Sequence, residues 1–273
     1  MGIELHVNYE MTHIDWLSES TGDMAPLFVN NYKPDSVQQV SSTDPWNFIL
    51  PVPESIETNR IKLVPFDPSI HAEPWHAARL QNPTFMQYIA VNLNTVEEII
   101  DVYRTLSHEN PQSLIFAIID KTGAAANNGS SPAADGTMAG VIGVLKCSPE
   151  NLKLEFGPVI IFPAFQGTYV SKHAIGAMLK YWLDVPSQGG MGFRRVSWTA
   201  DPANGASVGI AEKMGFTKEA LNRWTWVVPD GKPGKDVDGE RGAEKGADRI
   251  LLALCWDDWE NRVREKVLKL MET

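Results

Sequence analysis

The sequence predicts an α+β fold in one domain. Two observations carry this. Short apolar runs of strand character, at 114–119, 138–146, 152–161 and 194–199, alternate with segments whose apolar residues recur at helical spacing. The second and third runs are separated only by Ser148-Pro-Glu-Asn151, a tight turn, so at least one pair is an antiparallel hairpin.

The elements follow in order. Residues 1–58 read as an N-terminal extension with scattered Pro, Asn, Ser and Asp. Trp16, Phe28, Trp46 and Phe48 are too apolar for a free tail, so the extension is expected to pack on the domain that follows, 59–273. Ile61-Lys-Leu-Val-Pro-Phe66 alternates as a strand. Residues 74–88 suit one or two short helices anchored by Trp75, Ala78 and Leu80. Thr95 is a good N-cap, with Glu97 and Glu98 in the first turn; the helix it starts should reach about residue 108 and bury Ile99, Val102 and Leu106. Residues 121–137 form a Gly/Ala/Asn-rich insertion expected to be flexible. After the hairpin, a helix over 171–183 places Ala174, Met178 and Trp182 on one stripe. Asn204 caps a short helix that Gly215 ends from the C′ position. A strand over 221–228, a flexible Gly/Lys/Asp insertion over 229–248, a strand over 249–256 and a helix with Trp256, Trp259, Val263 and Val267 complete the chain.

Composition excludes some functions. The net charge of −10 lacks the basic face of a nucleic-acid binder. It mildly favours cationic substrates by long-range attraction, although solubility alone accounts for it. No run approaches the roughly 20 apolar residues of a membrane helix, and the start shows no signal peptide, so a cytoplasmic, membrane-free protein is expected. The two cysteines, Cys147 and Cys255, sit in apolar runs and read as core thiols of a reducing compartment. His71 and His76 lack the spacing of a zinc site, so no metal is expected. The oligomeric state stays open, a homodimer included.

The chemistry concentrates between Glu155 and Phe216. There an apolar strand ends, a turn follows, and a helix begins. A helix start leaves backbone N–H groups unpaired, and a phosphate can use them. The turn reads Gln166-Gly-Thr-Tyr169-Val-Ser171. Further on come Arg195-Val-Ser-Trp198, Asn204-Gly-Ala-Ser207, Met214-Gly-Phe216 and Arg223. By itself the turn is equally an ordinary strand-to-helix loop with Ser171 as N-cap.

Together these residues resemble the GNAT N-acyltransferase superfamily, in particular its RimJ/RimL-type branch of ribosomal-protein N-terminal acetyltransferases. The turn is a variant of the family's Q/R-x-x-G-x-G/A motif, with Tyr169 and Ser171 where Gly and Gly/Ala are usual. Tyr169 must keep φ negative and turn its ring away. Glu155-Phe-Gly157 matches the E-I-G strand, Asn204 to Ser207 the N-x-x-S helix start, and Met214-Gly-Phe the L/M-G-F turn. The resemblance spans about 60–260 and implies a sheet with two splayed parallel strands flanked by helices.

It also implies acetyl-CoA as co-substrate. Main-chain groups of Ile160, Ile161 and Phe162 would pair with the pantetheine. Gln166, Gly167, Thr168, Tyr169, Val170 and Ser171 would hold the pyrophosphate, and Asn204 would contact the pantetheine or thioester. An amine, on a small molecule or a peptide, would attack the thioester directly in a ternary complex. Glu155 is the candidate general base, or else a structural carboxylate paired with an Arg. Ser207 is the candidate acid, or else only a helix-start partner of Asn204. Two other functions remain open: a non-catalytic acyl-CoA-binding or regulatory module on the same fold, and an unrelated interaction protein.

Overall fold

A computed structural model describes residues 46–123 and 136–272. The expectations for 1–45 and for 124–135 lie outside these residues. One eight-stranded sheet organises the rest. Its strands are Ile56–Glu57 (β1), Ile61–Pro65 (β2), Leu114–Asp120 (β3), Thr137–Ser148 (β4), Lys153–Ile161 (β5), Arg195–Ala200 (β6), Thr217–Val228 (β7) and Lys245–Cys255 (β8). Their spatial order is β1-β2-β3-β4-β5-β6-β8-β7. Every neighbouring pair is antiparallel except β5 with β6. The continuous apolar run of β3 reflects a strand covered on both faces.

The helices are Pro68–Gln81 (α1), Val96–Arg104 (α2), Val170–Leu183 (α3), Gly205–Lys213 (α4), Trp256–Asp258 (α5) and Arg264–Glu272 (α6). α1 begins six residues before the expected Pro74. Asp67 accepts the Ser69 N–H at 2.8 Å, and Pro68 occupies the first helical turn where a missing N–H costs nothing. Pro74 then lies inside the helix, a position that costs about 3 kcal/mol in isolation. Burial of the neighbouring His71, Ala72 and Trp75 offsets this. Leu80, expected as an anchor, is exposed. α2 starts as expected, with Thr95 Oγ1 accepting the Glu98 N–H at 3.2 Å. Its fully buried residues are Ile99 and Tyr103; Val102 and Leu106 are only partly covered.

α3 buries most of its residues, including Ala174, Met178 and Trp182. α6 packs on it, and Asp184 clamps the C-terminal segment: its carboxylate accepts from Arg264 at 2.8 and 2.9 Å and from Trp259 Nε1 at 2.8 Å. Gly215 follows α4 at φ +99°, with Val263 close enough that a Cβ would lie 2.3 Å from its Cγ1. Phe48 and Leu50 are buried, so the described end of the N-terminal extension docks on the core. The segment expected as a solvated insertion gives residues 245–248 to β8, and Lys235 bridges to Gly246 before that.

Candidate active site

The parallel pairing of β5 with β6 is short. It runs from Lys153 opposite Arg195 to Phe156 opposite Trp198 and then stops. The cause lies on β5. Gly157 and Pro158 stand opposite Gly143 alone, forming a bulge against β4 between Ile142 and Val144. Pro158 has no N–H to give a ladder. Gly143 is needed for the close approach, since a Cβ there would meet the Gly157 carbonyl oxygen at 2.6 Å. Beyond the bulge β5 stays with β4 while β6 stays with β8, so a fork opens between Gly157–Ile161 and Thr199–Ala200.

Register decides which main-chain groups face the fork. The Phe162 N–H donates to the Ala139 carbonyl at 2.9 Å. In an antiparallel pair these directions alternate, so Ile160 and Phe162 turn their groups to β4, and Val159 and Ile161 turn theirs outward. Of the three residues expected from the sequence, Ile161 is the one that presents an edge. Val159 was missed, because the bulge that sets the parity is invisible in the sequence.

The turn after β5 is tightly built. Gln166 Nε2 donates to the Ile161 carbonyl at 3.0 Å. Gly167 takes φ +75° with open space around it. The Thr168 hydroxyl donates to the Phe165 carbonyl at 2.6 Å and accepts from the Val170 N–H at 3.3 Å, so it folds the turn rather than pointing outward. Tyr169, not Ser171, holds the N-cap position of α3, at φ −67° and ψ −20°. Its hydroxyl donates to Asp120 at 2.6 Å and lies 2.6 Å from the Thr122 hydroxyl, while the Arg60 guanidinium sits 4.7 Å above its ring. Burial first, and Asp120 second, raise the Tyr169 pKa. The ring thus points back to the ends of β2 and β3. The N–H groups of Gly167, Tyr169 and Ser171 have no acceptor among the described residues.

Glu155 is buried two residues before the fork. Its Oε1 accepts from Thr199 Oγ1 across on β6 at 2.7 Å, and its Oε2 from Lys146 Nζ at 2.9 Å. The partner is therefore a Lys and a Thr rather than the Arg weighed from the sequence. Neither carried a sequence signal, since β4 and β6 come to flank β5 only in the sheet. On the opposite face, Trp198 Nε1 donates to Ser207 Oγ at 3.0 Å. Asn204 Oδ1 accepts the Ser207 N–H at 3.1 Å, the cap of α4. Thr199 and Trp198 are adjacent on β6, so Glu155 and Ser207 flank the fork from its two faces.

Other candidates are accounted for. Burial pushes the Cys147 thiol up to about 12, which leaves it inert as a nucleophile. His71 accepts the Asp67 N–H through Nδ1 at 2.9 Å. Among the described residues, no three His, Cys, Asp or Glu side chains are placed to hold a metal, and no helix is long and apolar enough to cross a membrane. Trp224 and Trp226 both lie on β7, but a bulge separates their settings. Residues 223–225 bulge opposite Asp248 alone, Trp224 takes φ +55°, and Lys235 and Arg249 lie 4.2 and 5.9 Å above the two rings respectively.

An open mixed sheet forked between its two parallel strands, with unpaired amides at the helix after the fork, is the arrangement that the resemblance to the GNAT acyltransferases implies. The family model described as acetyltransferase (GNAT) domain matches residues 60–217, and the chain belongs to that family. It is an acetyl-CoA-dependent N-acetyltransferase with the GNAT fold. Among solved structures it is similar to a GCN5-related N-acetyltransferase from Brucella melitensis (TM-score 0.63, 21% identity, 81% of this chain and 86% of that one). It is also similar to spermidine N-acetyltransferase from Vibrio cholerae in complex with CoA and spermine (0.53, 16%, 75% and 100%). Mycobacterium smegmatis RimJ in complex with CoA-disulfide is a third (0.55, 15%, 77% and 88%). A sequence comparison with curated proteins finds no significant match.

Proposed function

We propose that acetyl-CoA lies in the fork between β5 and β6 and that a primary amine attacks its thioester there directly. The observation that carries this is the end of β5–β6 pairing at Phe156 and Trp198, beside the free amides of Gly167, Tyr169 and Ser171. Main-chain edges of Val159 and Ile161 line the gap where a pantetheine amide would pair, and their N–H groups suit a developing oxyanion. Gly167, Tyr169 and Ser171 offer the pyrophosphate backbone donors and the positive end of α3. Gln166, Thr168 and Val170 act by shaping this turn, and Asn204 by fixing the start of α4.

Glu155 takes a proton from the acceptor's ammonium, through a water, which frees the nitrogen lone pair for attack; Glu155 itself forms no bond to the substrate. Ser207 already accepts from Trp198, so its own hydroxyl proton remains for the departing thiolate. These two residues on opposite faces of one gap match a tetrahedral centre with amine on one side and sulfur on the other. Both cysteines are free, which suits the reducing cytoplasm. The Glu155-Phe-Gly157 strand and the N-x-x-S helix start favour the RimJ/RimL-type branch, with a small-molecule or peptide amine as acceptor. Residues 59–273 then form the catalytic domain and 1–58 an extension to it.

Calorimetry with acetyl-CoA followed by thiol release over a panel of amines tests this. Tight binding with turnover is expected, and Glu155→Gln should lower kcat by about 10²–10⁴, with partial recovery at high pH where the amine deprotonates unaided. Binding without turnover on any amine would instead make the chain an acyl-CoA-binding module. Full activity of Glu155→Gln would remove Glu155 from the chemistry.

A further inference from the structure

The chain carries a net charge of −10, yet one cleft reverses that sign locally. It opens between the segment after α1 and the β7–β8 loop. Its volume is about 710 Å³, and its charged lining is Arg79, Lys232 and Lys245 against Asp230 alone. That volume suits a small molecule.

The position follows from the sheet. β8 is antiparallel to β6, with Ala200 opposite Ile250, so Lys245 and the loop before it lie past the carboxyl end of β6. From the facing segment, Phe85 packs edge-on against Phe162 at the carboxyl end of β5, with ring centroids 6.2 Å apart. Lys232 Nζ joins the two walls by donating to the Met86 carbonyl at 2.7 Å. The cleft therefore stands at the end toward which the fork opens.

Its cations are poorly neutralised. Arg79 donates to the Pro83 carbonyl at 2.6 Å and to Asn94 Oδ1 at 3.2 Å, and its buried Nε–H has no acceptor among the described residues. Neither Arg79 nor Lys232 forms an ion pair among the described residues. Burial first, then repulsion from Arg79, lower the Lys232 pKa, so the two charges feel each other. Among the described residues Lys245 pairs only with the exposed Asp236, at 3.1 Å. Like charges held together at neutral partners are unfavourable until an anion joins them.

Resting on the acetyl transfer proposed above, we propose that this cleft receives the anionic group of the acceptor, so that the substrate is a small amine that also bears a carboxylate or phosphate. A polyamine would meet like charge there and be disfavoured.

The test uses matched probes on the full chain, with and without bound CoA. Dissociation constants for 2-aminoethyl phosphate against ethanolamine, and for glycine against glycinamide, are read by ligand-observed NMR. The anionic member should bind at least tenfold more tightly, and comparing the two pairs tells phosphate from carboxylate. Lys245→Gln, at an exposed position, should erode that preference at least threefold. Lys232→Gln should do the same, with Lys232→Arg restoring it. Equal or tighter binding of the neutral amines or of spermine overturns the proposal, as does a preference that survives both glutamine substitutions. Failure of the chain to take up CoA would refute acetyl transfer itself, while the anion preference is still measured on the CoA-free protein.

Discussion

Tyr169→Phe probes the turn where this chain departs from its family's motif. The substitution deletes one oxygen. The ring stays, and with it the stacking of Arg60 at 4.7 Å. What is lost is the 2.6 Å bond from the hydroxyl to Asp120, a residue with no exposed surface, together with the 2.6 Å contact to the Thr122 hydroxyl, which keeps Asp120 as its partner. Hydrogen bonds to charged groups contribute about 1.5–3 kcal/mol. Asp120 keeps the Thr122 N–H at 3.1 Å and its hydroxyl at 2.9 Å, so the lower figure applies, about 1.5 kcal/mol. Tyr169 tethers the start of α3 to the end of β3, and the free amides around it are the proposed pyrophosphate donors. If the tether preorganises them, part of that energy reappears as lost affinity for CoA, with a ceiling of about tenfold in Kd. Urea denaturation and calorimetry with CoA measure the two shares. A stability loss near that size with an unchanged Kd would refute the reasoning, because it would place the phosphates away from this turn.

Three other outcomes are expected. Ser207→Ala should lower kcat while leaving the KM for acetyl-CoA within about twofold, since the Asn204 cap uses the Ser207 backbone and not its side chain; a KM effect alone would assign Ser207 to binding. Gly215→Ala should destabilise by about 2–4 kcal/mol, combining a positive φ with a collision at Val263, and thermal denaturation reads it directly. Stability should also fall as pH drops below about 6.5. Burial is the main cause that depresses the folded pKa of His71 and of His173. The fold therefore holds the neutral form, and its advantage is complete above the unfolded value and lost as protons bind the unfolded chain first. His71→Asn, whose side-chain oxygen can still accept the Asp67 N–H, should flatten the slope of Tm between pH 7.5 and 5.5; an unchanged slope would assign it to other groups.

Much of the architecture was legible along the chain. Local signals are strong where one residue type meets one backbone need: Thr95 and Asn204 as caps, Gly215 beyond a helix end, Ser148-Pro-Glu-Asn151 as a hairpin turn. The strand runs and the apolar stripe of α3 were readable because burial imposes a period on the sequence. The early start of α1 was missed because Pro74 looked like a beginning, while the cap at Asp67 and the burial of Trp75 decided otherwise.

The sequence by itself determined most of the strands and helices, and that a turn between an apolar strand and α3 follows β5. Only the tertiary structure decided that Val159 joins Ile161 at the fork, that Thr199 and Lys146 hold Glu155, and that Arg79, Lys232 and Lys245 meet across one cleft. The physical reason is distance along the chain. A cap or a turn is settled by neighbours a few residues away, whereas bulge parity and the pairing of remote charges exist only once the sheet has brought its strands into register.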